Sequence, residues 1–220
     1  MSAIIFDLDG TLIDSAPDIH AAMAEVFKRR GIDPVPFQQV RSFIGNGVSK
    51  LVARCIRAAG LDESDALHAE IAAEFHARYA AAVHLTTLYP HVADTLQTLH
   101  KDGFRLGLCT NKPEAATHAV LKHFGIDHLF DAMSFGDGPY PAKPDPAPVR
   151  HIVDQLPARR FLYVGDSETD AETAKNAKLP MAIFTRGYRK TPVEQLYHDA
   201  HFDDFAQLRG IVDRLAPLPE

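Results

Sequence analysis

The sequence predicts an α/β fold: a parallel sheet between helices, with an inserted α-helical domain after the first strand. Three observations carry this. Short apolar runs without polar alternation recur along the chain, each stopping abruptly at polar residues. Helical apolar patterns separate them, as in strand–helix–strand units. Residues from about 15 to 85 break the alternation and carry no convincing strand.

The first run, Ala3-Ile4-Ile5-Phe6, stops at Asp7-Leu8-Asp9-Gly10-Thr11. Such a run reads as a strand buried on both faces, the environment of a parallel sheet. In the helical block, Ile19, Met23, Val26 and Phe27 share one helix face, closed by Gly31. Leu51, Ala58 and Ala59 mark a second helix, closed by Gly60, and Leu67, Ile71, Phe75 and Tyr79 form a longer third stripe. Stripes of this spacing are helix packing; the informative feature is their place directly after the first strand. The expected division is an α/β core domain from residues 1–14 and 86–220 and a helical domain from 15–85, lying over the end of the sheet.

Beyond it, Pro90 opens a helix carrying Val92, Leu96 and Leu99. Arg105-Leu106-Gly107-Leu108-Cys109 is the next strand, ending at Thr110-Asn111. Pro113 suits the first turn of a helix, where its missing N–H is unpaired anyway, and Val120, Leu121 and Phe124 line that helix before Gly125. Ala132-Met133-Ser134-Phe135 is a weaker strand. The proline-rich stretch 139–146 reads as a stiff, ordered loop, with a helix starting after Pro146. Phe161-Leu162-Tyr163-Val164 and Met181-Ala182-Ile183-Phe184 are the last strands, ending at Gly165-Asp166-Ser167 and Thr185-Arg186-Gly187. Asp170, taken alone, suits the cap of a helix from Ala171 to Ala177.

The 220 residues are 46% hydrophobic and 24% charged, which fits a globular chain of one domain or two smaller ones. With 23 basic and 29 acidic residues the formal charge is −6, and no basic stripe stands out, so nucleic acid is not an expected partner. Cys55 and Cys109 belong to no zinc-like cluster and read as free thiols of a reducing cytoplasm. No apolar run reaches the roughly 18 residues that cross a bilayer, and the N-terminus lacks the pattern of a signal peptide, so no membrane association is expected. Monomer and homodimer both stay open.

Ligands of an open parallel sheet bind beyond the carboxyl ends of its strands. The residues there are Asp7 and Asp9, Thr110 and Asn111, and Asp166 and Asp170, with Lys143 from the proline-rich loop. Two carboxylates two positions apart at one strand end crowd like charges and call for a cation or a proton. Gly10-Thr11 offers a tight turn whose backbone N–H groups can face an anion. This set suits phosphoryl transfer. One aspartate attacks phosphorus, and a neighbouring acid moves the proton. A lysine and a hydroxyl hold the phosphate oxygens, and Mg²⁺ takes carboxylate and carbonyl oxygens. Opposite a phosphate dianion, Asp7, Asp166 and Asp170 need that divalent charge beside Lys143.

Asp7-Leu8-Asp9-Gly10-Thr11-Leu12, Thr110-Asn111-Lys112, Lys143-Pro144 and Gly165-Asp166-Ser167-Glu168-Thr169-Asp170 resemble the four ordered motifs of the haloacid dehalogenase superfamily. The resemblance implies a Rossmann-like core, with the helical insert similar to a C1-type cap. Within the superfamily the chain most resembles phosphoglycolate phosphatases, through segments such as Asp14-Ser15-Ala16-Pro17, Phe43-Ile44-Gly45-Asn46-Gly47 and Gly187-Tyr188. The implied roles are Asp7 as nucleophile and metal ligand, and Asp9 as general acid/base with its carbonyl on the metal. Thr110 and the Asn111 backbone N–H, with Gly10, would bind the phosphoryl group; Lys143 would neutralise it; Asp166 and Asp170 would complete the Mg²⁺ site. An acid at position 9 favours phosphate monoesters over carbon–halogen bonds, because halide leaves unprotonated. In the cap, Gly45, Asn46 and Gly47 resemble a segment that reaches into the active site, and Arg41 and Lys50 are candidates to meet a substrate carboxylate.

The expected activity is thus Mg²⁺-dependent hydrolysis of a small phosphorylated metabolite, foremost phosphoglycolate, through an aspartyl-phosphate. The alternatives keep the fold and change the substrate: a sugar phosphate, an amino-sugar acid phosphate, pyrophosphate, or a phosphosugar mutase. A phosphonatase would need a Schiff-base lysine, for which Lys50 is the candidate. Outside catalysis, a receiver-like switch or a silent phosphate-binding scaffold uses similar residues.

Overall fold

The computed structural model describes residues 1–218; the last two positions of the expected core segment, 219 and 220, lie outside the described residues. The chain runs β1 (Ser2–Phe6), β2 (Ile13–Asp14), α1 (Ala16–Arg29), α2 (Phe37–Arg41), α3 (Val48–Ala58), α4 (Asp65–Tyr79) and β3 (Thr87–Leu88). It continues α5 (Val92–Lys101), β4 (Arg105–Cys109), α6 (Glu114–His123), β5 (Ala132–Ser134), α7 (Ala147–Gln155), β6 (Arg160–Gly165), α8 (Glu168–Ala177), β7 (Met181–Phe184), β8 (Ala200–Phe202) and α9 (Leu208–Leu215).

Six strands form one parallel sheet in the order β5-β4-β1-β6-β7-β8. Every residue of β1 is buried, because helices cover both faces. Ile4 and Phe6 pack with Leu96 of α5, Val120 of α6 and Val212 of α9. Ala3 and Ile5 face the other way, onto Val149 and Ile152 of α7 and Ala171 and Ala174 of α8. Each fully buried Leu, Ile or Phe contributes about 1.5–3 kcal/mol of apolar transfer free energy, so a sheet covered on two sides is the dominant stabilising feature. β1 pairs with β4 on one side and β6 on the other. The strand order therefore reverses at β1, and the carboxyl ends of these three strands meet at one crevice.

Helices α1 to α4 bury their stripes against one another, in a cluster that includes Met23, Phe27, Val52, Ile56, Ile71 and Phe75 and touches the sheet domain through Ala116. The two crossings between this block and the sheet run side by side as β2 and β3, an antiparallel pair. Asp18, buried in the first turn of α1, accepts from Leu85 N, Thr86 N and Thr86 Oγ1, pinning the outgoing and returning chain together.

Several elements correct the sequence expectations. Pro113 is the residue before α6 and not its first helical residue. α8 starts three residues earlier than expected: Ser167 is its N-cap, and Asp170 is the third helical residue, closing a capping box with Ser167. Ser167 Oγ accepts from the amide of Asp170 and donates to its Oδ2 at 2.6 Å, holding the buried carboxylate in place. α2, α9, β8 and the β2–β3 pair are additions to the elements expected from the sequence, although Leu208, Ile211, Val212 and Leu215 give α9 a helical stripe.

Candidate active site

Asp7 stays in register one residue past β1, its N–H donating to Val164 O at 2.9 Å. Its carboxylate lies beside those of Asp166, just past β6, and Asp170, in the first turn of α8. The three are buried, with one oxygen of each within 4.8 Å of the others. Lys143 Nζ donates to Asp7 Oδ1 at 2.6 Å, Asp170 Oδ1 at 2.7 Å and Tyr163 Oη at 3.0 Å. Its loop is held by a reciprocal pair: Lys143 N donates to Asn111 Oδ1, and Asn111 Nδ2 donates to Lys143 O. Asn111 Nδ2 also reaches Gly45 O of the helical block at 3.0 Å.

Burial pushes the Asp7 carboxyl up to about 7, assisted by the negative charge of Asp170 and opposed by Lys143. Burial likewise holds Asp166 well above the carboxylate range, with Asp170 and Asp7 adding to it; hydrogen bonds from Tyr188 N and Thr11 Oγ1 oppose the rise. For Lys143, burial pulls the ammonium down, but Asp170 and Asp7 outweigh it and hold the group well above its ordinary value. One lysine thus touches two of three buried carboxylates, and burial, with the charge of Asp170 adding to it, raises Asp7 and Asp166. An all-oxygen, carboxylate-rich donor set of this kind fits a hard divalent cation.

The shift has a stability consequence. Between the ordinary value of 3.8 and about 7, folded Asp7 retains a proton that the unfolded chain has lost. In metal-free buffer, stability therefore falls as pH rises across that window. Thermal unfolding of chelator-treated protein should show a steeper loss from about pH 4.5 to 7.5 in the wild type than in Asp7→Asn, a difference on the order of 5 °C. Equal slopes would remove Asp7 from the destabilised cluster.

Asp7, Asp9, Thr110, Asn111, Lys112 and Pro113 line one side of a cavity of about 40 Å³. Ile19, Ile44, Val48, Leu51, Phe75 and Tyr79 of the helical block line the other, together with Gly45 and Gly47. Asp9 Oδ1 accepts from Ser15 Oγ at 2.5 Å and Lys112 Nζ at 2.9 Å. Thr110 Oγ1 accepts from Lys112 N at 3.1 Å.

Other expected site residues sit elsewhere. The Gly10 and Thr11 amides do not face an anion: they donate to Ile13 O and Leu8 O within their own turn. Gly10 is required there because its φ is +93° and a Cβ would meet Asp166 Oδ2 at 2.6 Å. Arg41 does not line the cavity; it donates to Gly187 O and lies over the Tyr188 ring, 4.9 Å from its centroid. Asn46 bridges Arg54 and Thr169, and Lys50 lines an outer groove with Glu168, Glu172 and Lys190.

Residues missed by sequence reasoning complete the picture. Tyr188 donates its amide to Asp166, accepts from Ser15 N and Ala16 N at the start of α1, and donates its hydroxyl to Asp14. It thereby ties the carboxylate cluster to the crossing into the helical block. Tyr163 supports Lys143 and Asp170, and Lys112 joins Asp9 to the Tyr79 hydroxyl of the opposite wall. Tyr163 and Tyr79 read as packing residues, and Tyr188 and Lys112 stand inside the resemblance segments with no role of their own.

The chain belongs to the haloacid dehalogenase-like hydrolase family, whose model matches residues 4–184. A phosphoglycolate phosphatase of Cereibacter sphaeroides is 44% identical over 216 residues, covering 98% of this chain and 99% of that one. Matched end to end by phosphatases at this identity, the chain is a phosphoric monoester hydrolase. Among solved structures, a predicted phosphoglycolate phosphatase from Haemophilus somnus superposes with a TM-score of 0.89 at 32% identity, covering 96% of this chain and 98% of that one. CbbY from Rhodobacter sphaeroides, solved in complex with phosphate, gives 0.81 at 26% identity over 94% and 96%. Among the described residues, no helix is long and apolar enough to cross a membrane.

Proposed function

We propose that the chain hydrolyses phosphoglycolate to glycolate and phosphate in the cytoplasm, through a phosphorylated Asp7. The observation that carries this is the cavity itself, in which the nucleophile and a second acid face an apolar wall with room only for a small substrate. A sugar phosphate would set several hydroxyls against Ile19, Val48, Leu51 and Phe75, and unpaired buried hydroxyls cost about 1–3 kcal/mol each. End-to-end likeness to phosphoglycolate phosphatases supports the same substrate.

In this reading an Asp7 carboxylate oxygen attacks phosphorus, and the bond from phosphorus to the ester oxygen breaks. Asp9 gives its proton to the departing oxygen. Water then attacks the aspartyl-phosphate; Asp9 takes its proton, and phosphate leaves with the Asp7 carboxylate restored. Lys143 holds Asp7 in place, while Thr110 and the Asn111 backbone N–H bind phosphoryl oxygens. Asp7, Asp166, Asp170 and the Asp9 carbonyl would hold Mg²⁺. The ion supplies positive charge to the phosphoryl oxygens as negative charge builds on them. Helices of the 15–85 block act as a cap that excludes water, with Gly45 and Gly47 closing over the site.

A phosphate-release panel tests this, run with Mg²⁺ and again after chelation. It comprises phosphoglycolate, a hexose phosphate, an amino-sugar acid phosphate and pyrophosphate. The expected result is highest kcat/KM for phosphoglycolate and loss of all release without the cation. Preference for a sugar phosphate would move the substrate. Absence of turnover on every ester would revive the non-catalytic reading.

A further inference from the structure

Phosphoglycolate carries a second anion, and recognition of it needs a cation close to the phosphoryl site. Neither Arg41 nor Lys50 lies in the cavity; Arg41 is spent on Gly187 O, and Lys50 lines an outer groove. Lys143 already serves Asp7, Asp170 and Tyr163. Among the described residues, Lys112 is the one cationic side chain that lines the cavity. It is buried, with its ammonium held between Asp9 Oδ1 at 2.9 Å and the Tyr79 hydroxyl. Tyr79 is itself fixed by stacking on Phe75, ring centroids 5.0 Å apart. A buried ammonium with two neighbours still has a third proton to donate.

We propose that Lys112 is the specificity-determining residue that binds the substrate carboxylate, with Tyr79 as its positioning residue. This rests on the phosphoglycolate reading above. In the free enzyme Asp9 and Tyr79 take two of the ammonium's protons; when substrate binds, its carboxylate accepts the third, and Ser15 Oγ keeps Asp9 oriented at 2.5 Å. The site then selects monoesters whose alkyl group bears an anion one carbon from the ester oxygen. A neutral ester leaves the ammonium on Asp9 and gains nothing from it. Among the described residues, the rest of the cavity wall offers a carboxylate no other cation.

The test compares kcat/KM for phosphoglycolate with that for ethyl phosphate, which replaces the carboxylate by a methyl group. The ratio cancels effects that a variant has on the shared chemistry. Wild type should prefer phosphoglycolate. Lys112→Met should lower the ratio by about 100-fold, mainly through KM for phosphoglycolate. Tyr79→Phe keeps the charge and removes its hydroxyl partner, and should lower the ratio by about 5-fold; it decides the matter if Lys112→Met does not fold. A wild type with no preference would overturn the substrate assignment itself. A wild-type preference that survives unchanged in the folded variants would overturn Lys112 alone.

Discussion

Asp7→Asn should lose turnover by about 10⁴-fold or more while keeping the native fold, because the amide has no nucleophilic carboxylate to esterify. The substitution is close to isosteric in a buried site, and it removes one of three crowded negative charges. Circular dichroism and thermal unfolding should show a folded protein. In metal-free buffer above pH 7 it should melt no lower than the wild type, since ionised Asp7 is the disfavoured form there. Phosphate release at the wild-type rate would reject Asp7 as nucleophile.

Lys143→Met should damage both stability and activity. Among the described residues, Lys143 is the one cation touching Asp7 and Asp170, at 2.6 and 2.7 Å, and it is buried. Removing one partner of a buried ion pair strands the other, at about 3–5 kcal/mol. The loss should be greatest in metal-free buffer near pH 8 and partly reversed by Mg²⁺. Rescue by the cation separates charge imbalance from simple mispacking. Activity should fall by about 10³-fold even in the cation's presence, since a fixed positive charge beside the reacting oxygens is gone. A melting temperature equal to wild type without metal would contradict this account of the cluster.

How legible each strand and helix is in the sequence follows from its length. β1, β4, β6 and β7 are legible because each is a run of four or more apolar residues closed by a polar one. β8 escapes because its three residues place exposed His201 between Ala200 and Phe202, and the two-residue strands β2 and β3 are shorter than any pattern. Five-residue α2 lacks the turns that reveal a 3.6-residue period.

The site divides in the same way. Asp7, Thr110 and Asp166 stand at strand ends, where position alone is informative. Asp170 is ambiguous alone, because an aspartate near a helix start is a cap far more often than a ligand. The work of Tyr163 and Tyr79 lies in hydroxyls at the far end of rings that the hydrophobic pattern assigns to packing. Lys112 adjoins Thr110-Asn111 in sequence, yet only the approach of α4 shows that it is buried. The turn at Gly10 points the other way: its composition suits an anion nest, but Ile13 and Leu8 claim its amides.

Trapping the covalent intermediate is the most direct measurement. Enzyme quenched in acid during turnover of phosphoglycolate with Mg²⁺ should carry the mass of one phosphoryl group on the peptide containing Asp7. Borohydride reduction should leave homoserine at that position, and Asp7→Asn should show neither. Steady phosphate release with no label on Asp7, or with label on another residue, would contradict the account.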